Sequence, residues 1–350
     1  MKSRLFSTIY STTLVTALLA SSPLVFPTAH AFAAELKTID VITMDQAIEK
    51  TLKNNADLEL LRLAADTTYY DSLITLQDSQ AIKENSIYTF KDAQTKYKKA
   101  AEAQRDIATS KATMDALKSS LQFQVKKAYL EVFFLEEKIK SHKESINRHY
   151  WYPSPNEEAK EGLAKLQTSH EQALAKLNVL LLEAPGKNWR LSTYDLTHYH
   201  LPTLEEVQAN AYEKRPDMIK VEEERKLAEV KVNIVARYSL KSSYDGKIAR
   251  NNLNKAEILL EKAKATVEKE LKDNYDKVIS AKKVMEESIA ARDAAQKQYD
   301  ETKADYSIRK VSLDELIDRE TKLLDSEIKA IDSNYQYHVA VVTLKQSIGD

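Results

Sequence analysis

Apolar positions in the last hundred residues of the chain recur with a spacing of eleven. Between Lys247 and Ile348 the chain contains neither Gly nor Pro, so nothing in this stretch interrupts a helix. An eleven-residue repeat corresponds to about 3.67 residues per turn and keeps an apolar seam on one side of a nearly straight helix, which predicts long helices packed side by side. The repeating positions are Ala256, Val267, Val278 and Ile289; Leu313, Leu324 and Tyr335; and Ile317, Ile328 and Val339.

A single helix over this whole stretch would be about 150 Å long, so we expect the chain to fold back on itself. The sequence Ser312-Leu313-Asp314-Glu315 marks the fold-back. It has the pattern of a capping box, in which the Ser oxygen accepts a backbone N–H of the new helix and the Glu carboxylate reaches back to the cap. We therefore predict a long helix to about Tyr306, a tight tip, and a second long helix from Leu313 to near Gly349.

The first half of the chain carries the same kind of start signal. Thr43-Met44-Asp45-Gln46 is a capping box, and Ser154 with Glu157 is another, with Pro155 at the first helical position. Together with the turn residues these signals predict a short helix from Gln46 to about Asn54, a longer helix from Asp57 towards Leu76, a break over residues 78–86, a long helix from Phe90 to about Ile146, and a helix from Pro155 that closes at Pro185-Gly186.

The second half repeats the first. Thr203-Leu204-Glu205-Glu206 is a further capping box, Pro216-Asp217 starts a longer helix to about Tyr238, and residues 239–246 form a break. Residues 173–186 align without gaps on residues 336–349. We interpret the chain as a tandem duplication with a signal peptide over residues 1–33, a first repeat over 34–186, a linker over 187–202 and a second repeat over 203–350. The two repeats are unequal, because the segment 129–154 is about twelve residues shorter than the segment 275–312.

Composition favours an almost all-helical, extracytoplasmic protein. The chain of 350 residues has 4 Gly, 7 Pro and no Cys, so it forms no disulfide. It begins Met1-Lys2-Ser3-Arg4, continues in an apolar run to Phe26, and then offers small-x-small sites at residues 29–33, which is the pattern of a secretory signal peptide. The 52 basic and 53 acidic residues are interleaved without a basic stripe, which argues against nucleic-acid binding.

No motif indicates an enzyme. The sequence has no Cys nucleophile, no Gly-rich phosphate loop and no nucleophile elbow, and no carboxylate pair is singled out for acid–base chemistry. His198 and His200 are spaced to ligate a metal from a strand, but no third ligand lies nearby, so we favour an ordinary linker, and we predict no metal or cofactor. The aromatic residues Tyr150, Trp151 and Tyr152 are either a docking patch or, as we favour, the packing of a second tip.

The order and spacing of these signals resemble the TolC family of outer-membrane efflux proteins. The resemblance depends on residues 43–63, on the box at Thr203 followed by Lys214-Arg215-Pro216-Asp217, and above all on residues 306–317, 323–327 and 335–349. It implies an all-α protomer of long antiparallel coiled-coil hairpins that assembles as a homotrimer. In the family, twelve helices form a hollow α-barrel, which docks tip down on a periplasmic adaptor, the membrane fusion protein, joined to an ABC or proton-driven pump.

The resemblance also implies candidate contact residues. The adaptor-contact tip would consist of Tyr306, Arg309, Lys310, Ser312 and Asp314, and a second tip would consist of Tyr150, Trp151, Tyr152 and Ser154. The family usually has a Gly in the tip, where this chain has Arg309 or Lys310.

A larger departure from the family lies at the two breaks. Family members insert two strands per half there to build a transmembrane β-barrel, and each such strand needs about 9 to 11 alternating residues. Residues 78–86 and 239–246 are too short for this, so we expect the strands to be missing and the protein to act in the wall zone or periplasm as an efflux or export conduit. The alternative is an extracytoplasmic coiled-coil scaffold that encloses no channel.

Overall fold

The computed structural model of the protein describes residues 40–148, 157–194 and 199–349, and these are almost entirely helical. Predicted signal-peptide residues 1–33, the capping box at Ser154 and His198 lie outside them. The elements, in chain order, are β1 (Asp40–Ile42), α1 (Met44–Asn54), α2 (Ala56–Ala81), a 3₁₀ turn (Glu84–Ser86), α3 (Phe90–Ala93), a π-helical segment (Gln94–Lys98), α4 (Lys99–Arg148), α5 (Glu157–Leu180), β2 (Trp189–Leu191), α6 (Leu204–Lys214), α7 (Pro216–Tyr238), α8 (Tyr244–Ser307) and α9 (Leu313–Ile348). The prediction of an all-α fold with long helical hairpins is confirmed.

Two of the predicted capping boxes form completely. The backbone N–H of Gln46 donates to Thr43 Oγ1 over 3.1 Å, and the Thr43 N–H donates back to the Gln46 side chain over 2.9 Å. The same reciprocal pair joins Thr203 and Glu206. These bonds satisfy backbone donors that have no partner inside the helix, so α1 and α6 begin where the sequence predicts.

The predicted box at the tip is only half formed. The N–H of Glu315 donates to Ser312 Oγ over 3.2 Å and starts α9, as expected. In the boxes at Thr43 and Thr203 the backbone N–H of the cap residue donates back to the side chain three residues later. The corresponding bond from the Ser312 N–H to the Glu315 carboxylate is not formed in this described tip. Ser312 alone therefore caps α9.

The two breaks are short turns without strands. The first contains the 3₁₀ turn and ends at Thr89, whose hydroxyl accepts the Asp92 N–H and caps α3. The second ends at Ser243, which caps α8 through the N–H of Gly246. A Cβ at Gly246 would lie 2.5 Å from the carbonyl oxygen of Lys241, so this close turn requires glycine. The expectation that no strands are inserted at the breaks is confirmed.

The long helices form a layer rather than a closed bundle. The N-terminal part of α4 packs against α2 and α7, and its C-terminal part packs against α5 and α9. Helix α8 packs against α7, α9 and the short helix α6. The helix order is therefore α2, α4, α7, α8 towards the breaks and α5, α4, α9, α8 towards the tip. Helices α2 and α5 form one edge of the layer, and α8 forms the other.

The predicted seams differ in their burial. On α8 the eleven-residue series is buried at Ala256, Val267 and Val278. On α9 the predicted series are only half-buried, and one set of buried side chains instead has a spacing of seven, at Leu316, Leu323, Ala330, Tyr337 and Leu344. The reason is that α9 has two long neighbours: members of the predicted series such as Tyr335 face α4, where the ring lies 5.6 Å from that of Phe134.

Helix α5 ends earlier than predicted. Its last residue is Leu180, five residues before the Pro185-Gly186 pair at which we expected it to close. The cause is Leu182, which adopts a left-handed conformation with φ of 55°, so that the Glu183 N–H donates to the Asn178 carbonyl. The buried Asn178 side chain then binds the carbonyl of Lys187 and the indole N–H of Trp189.

A small parallel strand pair joins the beginning of the first half to the segment that follows α5. Asp40 pairs with Trp189 and Ile42 with Leu191, so part of the predicted linker is β2. The hydroxyl of the fully buried Tyr129 lies 3.1 Å from the Ile42 carbonyl oxygen and 2.7 Å from that of Ser192. One side chain of α4 thus holds both strand ends.

Candidate functional site

The candidate site is the tip between α8 and α9, residues 305–315. Helix α8 ends in a Schellman-type turn, in which the Arg309 N–H donates to the Tyr306 carbonyl and the Lys310 N–H donates to the Asp305 carbonyl, each over 2.9 Å. Arg309 has a φ of 60°, the left-handed conformation that glycine adopts most easily. The residue that replaces the family's glycine therefore keeps the turn geometry but with a bulky cationic side chain.

The predicted contact residues are brought together on this tip. All five are exposed: Tyr306, Arg309, Lys310, Ser312 and Asp314. The Lys310 ammonium lies 3.1 and 3.2 Å from the two carboxylate oxygens of Asp305. Ile308, at the C-terminal cap of α8, is 70% exposed. The tip thus presents one exposed aliphatic side chain among charges of both signs, which suits docking to a protein surface.

A small apolar cluster supports the tip from inside the hairpin. Tyr299 on α8 packs against Leu316 and Leu323 on α9, and all three are buried. The guanidinium of Arg319 donates to the Gln298 side chain over 3.1 Å across the two helices. The hairpin is therefore packed to within two turns of its end, which gives the exposed residues a fixed position.

An ion-pair cluster joins the end of α4 to the same hairpin. Arg148 donates to Glu320 over 3.2 Å and to both oxygens of Glu327 over 3.1 and 3.2 Å, and it lies over the Tyr299 ring. Burial alone would lower the pKa of Arg148, but the two carboxylates raise it above its ordinary value, so the guanidinium remains charged. Sequence reasoning missed this cluster; the available signal was a Glu at positions 320 and 327 between the apolar seam residues of α9.

Only one of the two predicted tips lies within the described residues. Arg148 is the last described residue of α4, and the predicted second tip with Tyr150, Trp151, Tyr152 and Ser154 lies outside the described residues. Beyond the Arg148–Tyr299 contact, α8 continues to Ser307, which extends this hairpin by roughly 12 Å.

Other parts of the described chain offer little chemistry. A cleft of about 480 Å³ between α4, α8 and α9 is lined by Phe133, Phe134, Tyr194, Arg292 and Glu327 among others, but its Arg292 pairs with Asp293 and its Glu327 with Arg148. Within residues 40–148, 157–194 and 199–349 no group of three or more His, Asp or Glu side chains is arranged to hold a metal ion. His200 is exposed.

The open layer of long helices, the recurring short–long succession and the capped tip define the class of TolC-type channel folds. The chain is similar to the Campylobacter jejuni CmeC outer membrane channel, with 13% identity, a TM-score of 0.62 and coverage of 94% of each chain. It is also similar to the open state of the Neisseria gonorrhoeae MtrE outer membrane channel, with 14% identity, a TM-score of 0.63 and coverage of 87% of this chain and 88% of that one. A membrane protein from Pseudomonas aeruginosa matches with 15% identity and a TM-score of 0.62 over 92% of this chain and 97% of that one.

These similarities confirm the resemblance to TolC-family outer-membrane efflux channels at the level of the fold. No protein-family model and no curated protein sequence matches the chain. The named structural relatives are channels rather than enzymes. None of the described helices combines the length and the apolar character needed to cross a bilayer.

Proposed function

We propose that the protein is the conduit component of an efflux or export system, in which three copies close into a helical tube. A signal peptide over residues 1–33 directs it out of the cytoplasm, and the repeats over 34–186 and 203–350, joined by the linker 187–202, each supply half of the protomer wall. The tip of α8 and α9 docks on an adaptor of the membrane-fusion type, which connects the tube to an ABC or proton-driven pump.

The two edges of the helix layer carry this proposal. Helix α2 exposes an apolar stripe with the three-four spacing of a coiled-coil seam, at Leu60, Leu63, Tyr70 and Ile74. On the opposite edge, α8 exposes apolar side chains that include Leu259 and Val284. A layer with different apolar edges associates edge to edge in a heterologous contact, and such a contact forms a closed ring when the rotation between copies is right. With four helices per layer, three copies supply twelve.

The tip carries the second part of the proposal. It is the described end of a long hairpin, Ser312 caps its second helix, and its exposed Tyr306 and Arg309 are residue types that interfaces favour. In the proposal Tyr306, Arg309, Lys310, Ser312 and Asp314 contact the adaptor, and Tyr150, Trp151, Tyr152 and Ser154 form the neighbouring second tip.

The absence of cysteine allows a clean test of ring closure. The variant L63C/L259C is treated with a bismaleimide cross-linker, with the single variants L63C and L259C as matched controls. Heterologous closure predicts covalent dimers and trimers that stop at three for the double variant and only monomers for each single variant. Light scattering of the untreated protein should give three times the monomer mass. A ladder that continues past three, or a monomer at every concentration, would contradict the tube and favour a scaffold.

Docking of the tip is tested separately. The variant R309C is labelled with a photoactivatable maleimide in the host envelope, and the cross-linked partner is identified by mass spectrometry. We expect an adaptor protein from R309C and none from a control cysteine at Lys283, which is exposed on α8 away from the tip. Equal capture of the same adaptor from both positions would contradict a role of the tip.

A further inference from the structure

The end of the molecule opposite the tip has a chemical character that the sequence does not reveal. Residues 82–98 and 237–250, here called the break end, lie far apart in the chain but share one apolar cluster. Ile87, Ala93 and Ile234 form its buried centre, and the rings of Tyr97 and Tyr238 stack at 6.4 Å. The two breaks therefore form a single surface.

Large apolar side chains are exposed on this surface. Tyr88 is 83% exposed, Tyr244 85%, Leu240 73% and Ile248 56%. They surround the turns at which α2 gives way to α3 and α7 gives way to α8. Exposed aromatic and aliphatic side chains grouped at one end of a molecule mark an interaction surface, because burying them is favourable.

The break end is also strongly basic. Its two stretches contain eight Lys or Arg residues and three Asp or Glu residues, whereas the whole chain has 52 and 53 with a formal net charge of −1. Six of these cations are exposed: Lys83, Lys91, Arg237, Lys241, Lys247 and Arg250. None of the six forms an ion pair with a described residue; Lys247 lies over the Tyr244 ring, and Arg250 donates to the Lys241 carbonyl. Positive charge is thus concentrated on one end of a nearly neutral protein.

We propose that the break end docks on the surface of an anionic lipid bilayer. Tyrosine has an apolar ring and a polar hydroxyl that suit the headgroup region of a membrane, and lysine and arginine side chains around it bind anionic headgroups. No spanning segment is needed, because the aliphatic and aromatic side chains enter only the interface while the cations remain among the phosphates. This inference does not depend on the tube or on the tip.

Two other occupants fit less well. A second copy docking end to end would bring two positively charged surfaces together, which opposes association. A soluble polyanion would engage the cations but leave Tyr88, Leu240, Tyr244 and Ile248 in water. The combination of both features favours a lipid surface.

The test is co-sedimentation of the full chain, in the form that its host exports, with lipid vesicles. One set contains phosphatidylglycerol and phosphatidylcholine, and the other contains phosphatidylcholine alone. The test variant is K83Q/K91Q/R237Q/K241Q, and the matched control is K272Q/K282Q/K283Q/K297Q, which removes the same charge from exposed positions of α8. Any contribution from residues 1–39 is common to all the proteins and cancels in the comparison. Thermal unfolding followed by circular dichroism checks that both variants remain folded.

We expect binding to the anionic vesicles that weakens as NaCl rises from about 0.05 M to about 0.5 M. Each cation at an anionic membrane strengthens binding roughly fivefold, so the test variant should bind at least tenfold more weakly while the control binds like the unchanged protein. A further variant, Y88S/Y244S, should lose the part of binding that survives high salt. Equal binding to both vesicle types, equal loss in test and control variants, or binding only to soluble polyglycerol phosphate would overturn the proposal.

Discussion

Helices α4 and α8 are the two longest described helices, but their surroundings differ. Around Tyr129 the buried residues of α4 follow one another closely and point in several directions, because α4 has neighbours on both sides along its length. On α8 the buried residues form a stripe, and apolar residues such as Leu259 and Ile279 remain exposed. Position in an open layer, rather than sequence pattern alone, therefore determines how much of a helix is buried. The exposed face of α8 is the one that the proposed trimer would bury.

The largest expected effect comes from removing the charge that ties α4 to α9. In R148M the carboxylates of the buried Glu320 and the partly buried Glu327 lose their common guanidinium, and removing one partner of a buried ion pair costs about 3–5 kcal/mol. We expect the free energy of unfolding, measured by urea denaturation, to fall by that amount. The matched control R225M breaks ion pairs on the more exposed surface of α7 and should cost under about 1 kcal/mol. Similar losses in the two variants would show that Arg148 is not an anchor between the hairpins.

The next largest effect on stability compares the buried and the exposed face of α8. Leu271 is fully buried against α6 and α9, so L271A should lower the free energy of unfolding by about 2–5 kcal/mol. Leu259 is 47% exposed, so L259A should change the stability of a dilute protomer by no more than about 0.5 kcal/mol. In the proposed trimer, however, L259A should weaken self-association measured by sedimentation. If L259A leaves association unchanged, the exposed face of α8 is not the contact.

A smaller effect compares the backbone of the tip with the interior of α8. Arg309 is held in the left-handed region, which costs a non-glycine residue about 1 kcal/mol, so R309G should raise the free energy of unfolding by roughly that much. The control K303G places glycine within α8 and should lower it by about 1 kcal/mol. A loss of stability in R309G would mean that the side chain contributes more to the turn than its backbone conformation costs.

The smallest effect is a pH dependence that comes from Tyr212 on α6. Burial and a hydrogen bond to Glu268 raise the pKa of Tyr212 to about 12. Because the folded pKa lies above the ordinary value of about 10, the stabilisation is complete below pH 10 and is lost as the pH rises towards 12. Denaturation midpoints at about pH 9 and about pH 11 should fall further for the unchanged protein than for Y212F. Identical decreases would exclude Tyr212 as their source.

The helix starts could be predicted because the responsible interactions are local. Thr43, Thr203 and Ser312 each cap a helix through a backbone N–H three residues later, so the sequence signal for the helix start lies within four consecutive residues. The break positions were also readable, since turn residues cluster there. The tip residues could be placed together because a short turn brings them together whatever the rest of the chain does.

Features that depend on distant contacts could not be read in this way. Arg148 contacts Glu320 and Glu327 across about half of the chain, and the break end combines two stretches whose charges are unremarkable separately. Strands β1 and β2 have three residues each, too few to show an alternating pattern. Leu182 and Arg309 adopt left-handed conformations that their residue types disfavour, so they gave no signal for the turns they make.

The pairing of β1 with β2 has a consequence for the order of folding. Asp40 can pair with Trp189 only after nearly the whole first half, which lies between them, has been synthesised. Closing so long a loop carries a large entropic cost, which contacts within a helical hairpin do not incur. We therefore expect the hairpins to form early and the strand pair to join late, with the Tyr129 hydroxyl completing the step. In the native protein the backbone amides of β1 and β2 should be among the first to exchange hydrogen. Opening of this strand pair should therefore precede any larger opening of the first half.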